Sequence, residues 1–425
     1  MVEARRTVST SPLRVLAHRN FWPYFAGNLL SNCGTWFQNL AQAVFIYRLT
    51  GSAFLVGLVN FAQFIGVFVL APWAGSAADR FDRRRLLVVT QVGAVLVTGG
   101  LALLARAGLA TAPVVIVMAL ALGLTTAFAV PAMQALIPLL VEREELSAGV
   151  ALNSLTFNLA RAVGPVLGAV VLEQLGVAAA FGLNSLSYLA LIVGLLLVRP
   201  SPQQPAPVER PRLRESLRLV RADARLVALL GTIAALSLTV DPVSTLTPGF
   251  AKVIFHRSDS LAGYLVGAFG VGAVLAAVTI AGRRADATRH LPLTCAVLGT
   301  GILAFALAPS LPWAYAALAL AGGGYLMTNT IATTAVQLEV EDAQRGRLMA
   351  LWSVCFLGTR PLGSLVDGGV AEAAGLRAGG VVMSLPVLLA AAALVWSGRR
   401  RPGKRGARVR PASLAAEPVV ASEVD

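Results

Sequence analysis

Three ionisable residues stand inside long apolar runs: Arg161, Asp241 and Arg360. A charge at the centre of a bilayer costs about 2.5–3.5 kcal/mol on insertion scales, so each must be paired, neutralised or in contact with water. Asp241 lies in "LSLTVDPVSTLTPGF" and is the one acid expected well inside a span and away from its ends. A carboxylate there could take up and release a proton as its surroundings change. It also precedes Pro242, and Asp–Pro suits the N-cap and first position of a broken helix equally well. Arg161 and Arg360 are expected roughly four turns into their spans. They fit either an anion-binding role or a role in locking helices together. Two such cations favour an anionic or zwitterionic ligand over a bulky cation.

A second set of polar residues is periodic. Asn28, Asn32, Thr35, Gln38, Asn39 and Gln42 recur every three to four residues, which places them on one stripe of a helix. Small polar residues often join membrane helices through hydrogen bonds. Six of them exceed what that role needs, so a water-filled cavity is the favoured expectation. Thr330, Thr333 or Thr334, and Gln337 form a shorter stripe, and Thr125, Thr126 and Gln134 add a third group.

These residues need elements that hold them in a membrane. The chain has 425 residues, of which 56% are hydrophobic and 13% charged, with a mean hydropathy of +0.73. That composition excludes a water-soluble domain. Twelve spans are expected: 21–47, 53–77, 86–106, 112–131, 146–172, 179–198, 226–250, 260–282, 291–308, 312–337, 347–370 and 376–397. Helix is the expected form, because lipid offers backbone groups no partner outside a helix or a closed barrel. No removable signal peptide is expected ahead of Phe21.

The net charge of +14 follows the loops. Of the 35 Lys and Arg residues, 28 fall on the side that carries both termini and 5 on the other (Arg48, Arg106, Lys252, Arg257 and Arg377). This bias predicts both termini inside and leaves no need for a nucleic-acid partner. The three cysteines have no CxxC spacing, and the three histidines all fall in loops, so neither a disulfide nor a metal centre is expected. No GxxxxGK[ST] occurs, so no nucleotide or other cofactor is implied. A membrane enzyme would need a His, Asp, Cys or Ser constellation at one face, and none is apparent.

The chain also repeats itself. A shift of 199 residues carries Glu142, Ala151, Leu152, Ser154, Phe157, Arg161 and Gly164 onto Glu341, Ala350, Leu351, Ser353, Phe356, Arg360 and Gly363. Shifts of 206 and 207 carry Gly57, Gly66, Gly75 and Asp79 onto Gly263, Gly272, Gly282 and Asp286. The expected organisation is a six-helix bundle over 1–198, an inner linker with an amphipathic helix over 199–225, a second bundle over 226–398 and a basic tail over 399–425. Parallel repeats of this kind place a binding site between the bundles.

The "GSAADRFDRRR" of residues 75–85 resembles the signature loop of the major facilitator superfamily, with Asp82 where that loop usually has Gly. The stretch from Arg19 to Val59, "RAVGPVLG" from Arg161 and "RGRLMAL" from Arg345 are similar to the branch holding siderophore exporters, secretion effectors and drug exporters. The resemblance implies an all-α fold of two pseudo-symmetric bundles. It implies secondary transport by alternating access, most simply proton-coupled efflux of a small organic molecule such as a siderophore, antibiotic or other natural product. The alternative is an importer or facilitator of a small polar or anionic metabolite. It also implies a latch at the inner side built on Gly75, Asp79, Arg80, Arg83, Arg84, Gly282 and Asp286, although the arginines equally serve to orient the spans. "GPVLG" resembles part of a motif of antiporting members, with Ala160 where an upstream Gly is usual. The expected partners are the small-molecule substrate, protons and lipid, for a monomer in a bacterial cytoplasmic membrane. Lys is nearly absent beside Arg, which suggests a GC-rich bacterial genome.

Orientation is directly testable. Membrane-impermeant thiol reagents applied to cells should label single cysteines placed beside Arg106 or Lys252 and spare those beside Arg84 or Arg284. Labelling beside Arg84 would reverse the orientation.

Overall fold

The structure, a computed structural model, describes residues 12–201, 218, 220–280, 287–339 and 342–399. Gly282 and Asp286, most of the linker with its expected amphipathic helix, and the basic tail beyond Arg399 lie outside the described residues.

Among the described residues the regular structure is helical. A short helix, α1 (Pro12–Ala17), precedes α2 (Trp22–Thr50), α3 (Ala53–Arg80), α4 (Arg83–Arg106), α5 (Ala112–Leu136), α6 (Leu146–Gln174) and α7 (Gly176–Leu197). After the linker come α8 (Ala224–Val240), α9 (Ser260–Ile280), α10 (Leu291–Ala306), α11 (Leu311–Leu338), α12 (Asp342–Leu357), α13 (Arg360–Ala374) and α14 (Leu376–Arg399). Helix ends follow local chemistry. Gly51 takes a φ of 67° to close α2, and Ser52 then caps α3 by accepting from the Leu55 amide. Asp82, the residue that departs from the family loop, caps α4 by accepting from the Arg85 amide at 2.7 Å. Pro stands within the first two positions of α2, α5, α10, α11 and α13, where its missing N–H costs nothing.

Nine helical stretches among the described residues are long and apolar enough to cross a membrane. The other expected spans are helical but depart from a plain apolar run. Helix α2 carries the Asn/Gln stripe, and α11 carries glycines and threonines. The expected span 347–370 is two helices, parted at Gly358 and Thr359. Pro361 starts the second of them, and the Phe356 carbonyl, orphaned by the break, accepts from Ser237 Oγ at 2.5 Å. The seventh span is interrupted too. Beyond α8 the chain passes through Asp241, the turns Pro242–Thr245 and Thr247–Gly249, and a π-helical turn, Phe250–Ile254.

Helices α2 to α7 pack on one another as one bundle, and α8 to α14 as a second. The bundles meet along two seams, α3 with α13 and α6 with α9. Both depend on small residues. A Cβ on Gly57 of α3 would collide with the Ser364 carbonyl of α13, and one on Gly368 would lie 2.7 Å from the Ala53 carbonyl. On α9, Gly263 and Gly270 would meet Pro165 O and Ala162 Cα of α6 at 2.6 and 2.7 Å. Without side chains at these positions the backbones approach closely, as in other small-residue membrane interfaces.

Gly57→Leu should therefore pry α3 from α13, at about 1–3 kcal/mol of overpacking. Thermal unfolding in detergent should shift down, and disulfide cross-linking between Ser52→Cys and Glu372→Cys should fall. Gly100→Leu, where nothing lies within 4 Å, should leave both unchanged. Equal cross-linking in both variants would show that this seam does not hold the bundles.

Candidate functional site

The two ends of the molecule differ in what they bind. At the end away from the linker, polar contacts join the bundles: Arg48 pairs with Asp259, and Ser52 Oγ donates to Glu372 at 3.0 Å. Deeper in, Asn60 Nδ2 donates to Thr245 Oγ1 at 3.2 Å, again across the seam. At the linker end the bonds of several charged residues stay within one bundle. Glu145, almost fully buried, lies 3.7 Å from Arg14 and 3.4 Å from His18. Arg83 donates to the Ala135 carbonyl and Arg84 to the Leu195 and Leu196 carbonyls, at the C-terminal ends of α5 and α7. Arg225 pairs with Glu339 at 3.1 Å. Asp79 and Arg80 are exposed at this end, and the Cβ position of Gly75 is open.

Between the bundles, in the linker-side half, lies a cleft of about 620 Å³. Its walls are α6, α9 and α11, largely apolar, with Ser154, Asn158, Arg161, Tyr325 and Thr330 as the polar groups. Arg161 is held by aromatic rings from both bundles. Its guanidinium lies 5.5 Å from the Trp36 ring of α2, 5.6 Å from Phe269 of α9 and 4.1 Å from Tyr325 of α11. Its Nη1 donates to Tyr325 Oη at 2.5 Å. Stacking of this kind is favourable by about 0.5–2 kcal/mol and leaves the other guanidinium hydrogens free to bind an anion.

Arg360 is placed by the break in the eleventh span. It is the first residue of α13 rather than a mid-helix residue, because the chain restarts its helix after Thr359. Its Nε donates to Asp241 Oδ1 at 3.2 Å, and its guanidinium lies 4.7 Å above the Phe64 ring of α3 in the other bundle. Asp241 is buried, with Oδ2 accepting from Ser364 Oγ at 3.0 Å. Gly363 makes this approach possible, since a Cβ there would sit 2.8 Å from Oδ2. The Asp241 side chain therefore turns to α13. It is the backbone carbonyl of Asp241 that accepts the Ser244 and Thr245 amides of the following turn. A second, water-sized cavity of about 30 Å³ adjoins Asp241, Arg360, Asn39, Asn60, Phe64 and Trp36. Trp36 touches both spaces, lining this cavity while its ring faces Arg161 of the cleft.

The polar stripe of α2 divides. Asn39 reaches the small cavity and accepts from Gln63 Nε2 at 2.9 Å. The others bond within their own bundle. Asn28 donates to Asn153 and Thr156, Asn32 to Asn28, and Gln42 to Gln63, while Gln38 accepts from Asn184 and Thr35 bonds with Tyr188. Asn28, Thr35, Gln38 and Gln42 thus bond to other helices, on α3, α6 or α7, whereas Asn32 bonds one turn away on α2 itself. Thr330 lines the cleft, Thr333 accepts from Trp352 Nε1 at 3.0 Å, and Gln337 is half-buried nearby on α11. Gln134 is exposed at the linker end of α5, away from both spaces.

One residue near the site escaped sequence reasoning. Asp367 of α13 is fully buried, and neither carboxyl oxygen has a hydrogen bond of ordinary geometry. The expected span end at residue 370 made it look like a terminal acid. The helix instead runs to Ala374. The spacing of Arg360, Ser364 and Asp367 at i, i+4 and i+7 was the available signal. Among the described residues no group of three or more His, Cys, Asp or Glu could hold a metal.

The arrangement has relatives. The enterobactin exporter EntS of Citrobacter koseri is 27% identical over 366 residues, covering 83% of this chain and 85% of that protein. The staphyloferrin A transporter of Staphylococcus aureus is 28% identical over 178 residues, covering 42% and 44%. In fold, the chain is similar to a bacterial homologue of the lysosomal transporter Spinster in an inward-facing, occupied conformation. The TM-score is 0.71 at 14% identity, over 92% of this chain and 98% of that one. A bacterial homologue of the iron transporter ferroportin, inward-facing, matches with a TM-score of 0.65 at 19% identity, over 91% and 99%. The sequence model of the transmembrane secretion effectors matches residues 7–425, so the chain belongs to that family of the major facilitator superfamily.

Proposed function

We propose that this protein is a secondary transporter that exports a small, siderophore-like organic molecule by alternating access, driven by inward proton flow. The observation that carries the reading is the asymmetry between the two ends. The bundles are bonded to each other away from the linker, while the cleft with Arg161 at its wall lies in the linker-side half. That is the geometry of a carrier awaiting cargo from the side of its basic loops. With twelve crossings and both termini inside, this side is the cytoplasm of a bacterium.

In this reading Arg161 receives an acidic group of the cargo while the apolar walls take its body. Asn158, Thr330 and Tyr325 offer hydrogen bonds beside it. The siderophore transporters among the relatives support the cargo class, and the protein acts as a monomeric carrier without a cofactor. Asp241 is the coupling carboxylate. Ionised, it pairs with Arg360; protonated, it releases Arg360 and allows the bundles to re-pack. Asp79 and Gly75, with Arg80, Arg83 and Arg84, form the latch that closes the linker end once the cleft is filled. Arg83 and Arg84, bonded inside their own bundle, suit the open state of that latch. Gly282 and Asp286 are its repeat counterparts.

Asp241→Asn separates coupling from structure. It keeps the volume and the Ser364 contact but cannot carry the proton, and it leaves Arg360 without a counter-charge. In proteoliposomes loaded with a candidate siderophore, gradient-driven transport should collapse while substrate counterflow without a gradient survives. Full gradient-driven transport by the variant would remove Asp241 from coupling. Absence of any transport by the unaltered protein, across anionic siderophores and drugs in both directions, would remove the exporter reading itself.

A further inference from the structure

The second buried acid gives the site a feature the coupling reading does not use. Asp367 shows no exposure, and Asp241 is 2% exposed. They face one another's helices. Asp241 reaches into α13 beside Gly363 and Ser364. Asp367 follows Gly363 by four residues and Ser364 by three, so it lies one turn further along the same face. The Thr245 hydroxyl and the Gly368 amide are the polar groups beside it, and the Asp241 carboxylate is within electrostatic reach. Asp241 in turn has Arg360 as its cation. Among the described residues these are the charged groups that face the pair. Glu372, the next acid on α13, is exposed and turned to Ser52 of α3. On α14, Arg377 is turned away to the Ala308 carbonyl.

One guanidinium thus stands against two carboxyls. Asp241 takes both the Arg360 Nε and the Ser364 hydroxyl. Asp367, fully buried with neither oxygen in an ordinary hydrogen bond, has no cation beside it, only the Thr245 hydroxyl and the Gly368 amide, and a buried charge compensated so weakly is neutralised. We propose that Asp367 is a second proton-holding group of this transporter, protonated in the conformation seen here, and that it passes its proton to Asp241 during the cycle. In the step the O–H bond of Asp367 breaks and an O–H bond forms on Asp241. The negative charge moves the opposite way, and no oxidant or reductant is involved.

The geometry supplies a path and a gate. Thr245 adjoins Asp367 and accepts from Asn60. Asn60 lines the water-sized cavity that also touches Asp241. The gate is the α3–α13 seam, where Gly368, adjacent to Asp367, is packed on Ala53 and Phe54. Opening the bundles away from the linker would part that seam and bring the medium on that side to Asp367 before Asp241. Asp367 is then the loading group, and Asp241 discharges toward the cleft. The direction of proton flow rests on the exporter reading; the protonation of Asp367 does not.

Infrared spectroscopy of the purified full-length protein in nanodiscs tests protonation without any substrate. At neutral pH the unaltered protein should show the C=O stretch of a buried protonated carboxylic acid. Asp367→Asn should lose that band, Asp367→Glu should move it, and Asp241→Asn should keep it. A band that survives Asp367→Asn, or its absence from the unaltered protein, overturns the proposal. Should Asp367→Asn fail to fold, the frequency shift in Asp367→Glu carries the same test. In proteoliposomes, Asp367→Asn should keep substrate counterflow, lose gradient-driven accumulation, and lose the proton release that substrate binding triggers. Full accumulation with normal proton release would overturn the relay. If no substrate is transported at all, the infrared band still decides whether Asp367 holds a proton.

Discussion

A guanidinium in a low-dielectric interior cannot be left without a counter-charge, and the centre of this molecule is arranged around that requirement. Arg360 needs Asp241, and breaking such a buried pair by removing one partner costs about 3–5 kcal/mol. The pair forms only because three irregularities coincide. The eleventh span breaks at Gly358 and Thr359, which puts Arg360 at a helix start. The seventh span breaks after Asp241, which frees its side chain from a continuous helix. Gly363 leaves room for the carboxylate to lie against α13. Straight helices would hold the two charges in different places. The irregular backbone sits where it lines a cavity, which is where a membrane protein tolerates it.

The internal repeat makes the arrangement legible as a duplication with one side altered. Arg161 and Arg360 occupy matching positions, and each stacks on an aromatic ring of the opposite bundle: Phe269 and Tyr325 for one, Phe64 for the other. Both arginines therefore bridge the bundles. Among the described residues Arg360 pairs with a carboxylate as well. At the offset that carries Arg161 onto Arg360, Asp367 corresponds to Gly168, which is packed tightly on Phe37. The first bundle thus presents a cation free to meet an anion, and the second presents a cation already engaged with acids. One duplicated position has come to serve two different electrostatic tasks.

Much of this was legible in the sequence, and the omissions have physical causes. Apolar runs depend on composition alone, so most helix ends fell within a few residues of expectation, the broken seventh and eleventh spans apart. The repeat put Arg161 and Arg360 at matching positions, and in the structure each contacts aromatic rings of the opposite bundle. The α2 stripe was legible as a stripe, but its partners Asn153, Asn184, Gln63 and Tyr188 lie on other helices, and periodicity within one helix cannot name them. Cavity and glue differ only in those partners. Asp367 was missed for a related reason. A hydropathy window sees Gly358 and Thr359 as ordinary span residues, so it set the helix end too early and read a central acid as a terminal one. The break became visible only through its packing, with Ser237 satisfying the Phe356 carbonyl.

The seams explain how a charge cluster at the centre can sense which end of the molecule is open. A Cβ on Gly57 of α3 would run into the Ser364 carbonyl of α13 and touch Gly368, and Ser364 is also the residue whose hydroxyl holds Asp241. Separation of the bundles at that end must move Ser364 relative to α3 while α8, in the same bundle as α13, moves with it. The Asp241–Arg360 pair lies wholly within the second bundle and can persist through such a movement. The contacts that must break are those reaching across: Arg360 on Phe64, and Asn60 to Thr245. These flank the acids on both sides. Under the coupling proposed for Asp241, protonation would loosen Arg360 and so weaken its hold on Phe64, and loss of the Asn60 bond would free Thr245 beside Asp367. In that proposal the link between proton binding and bundle movement is short: one shared arginine and one shared threonine, each beside an acid of one bundle and a polar or aromatic group of the other.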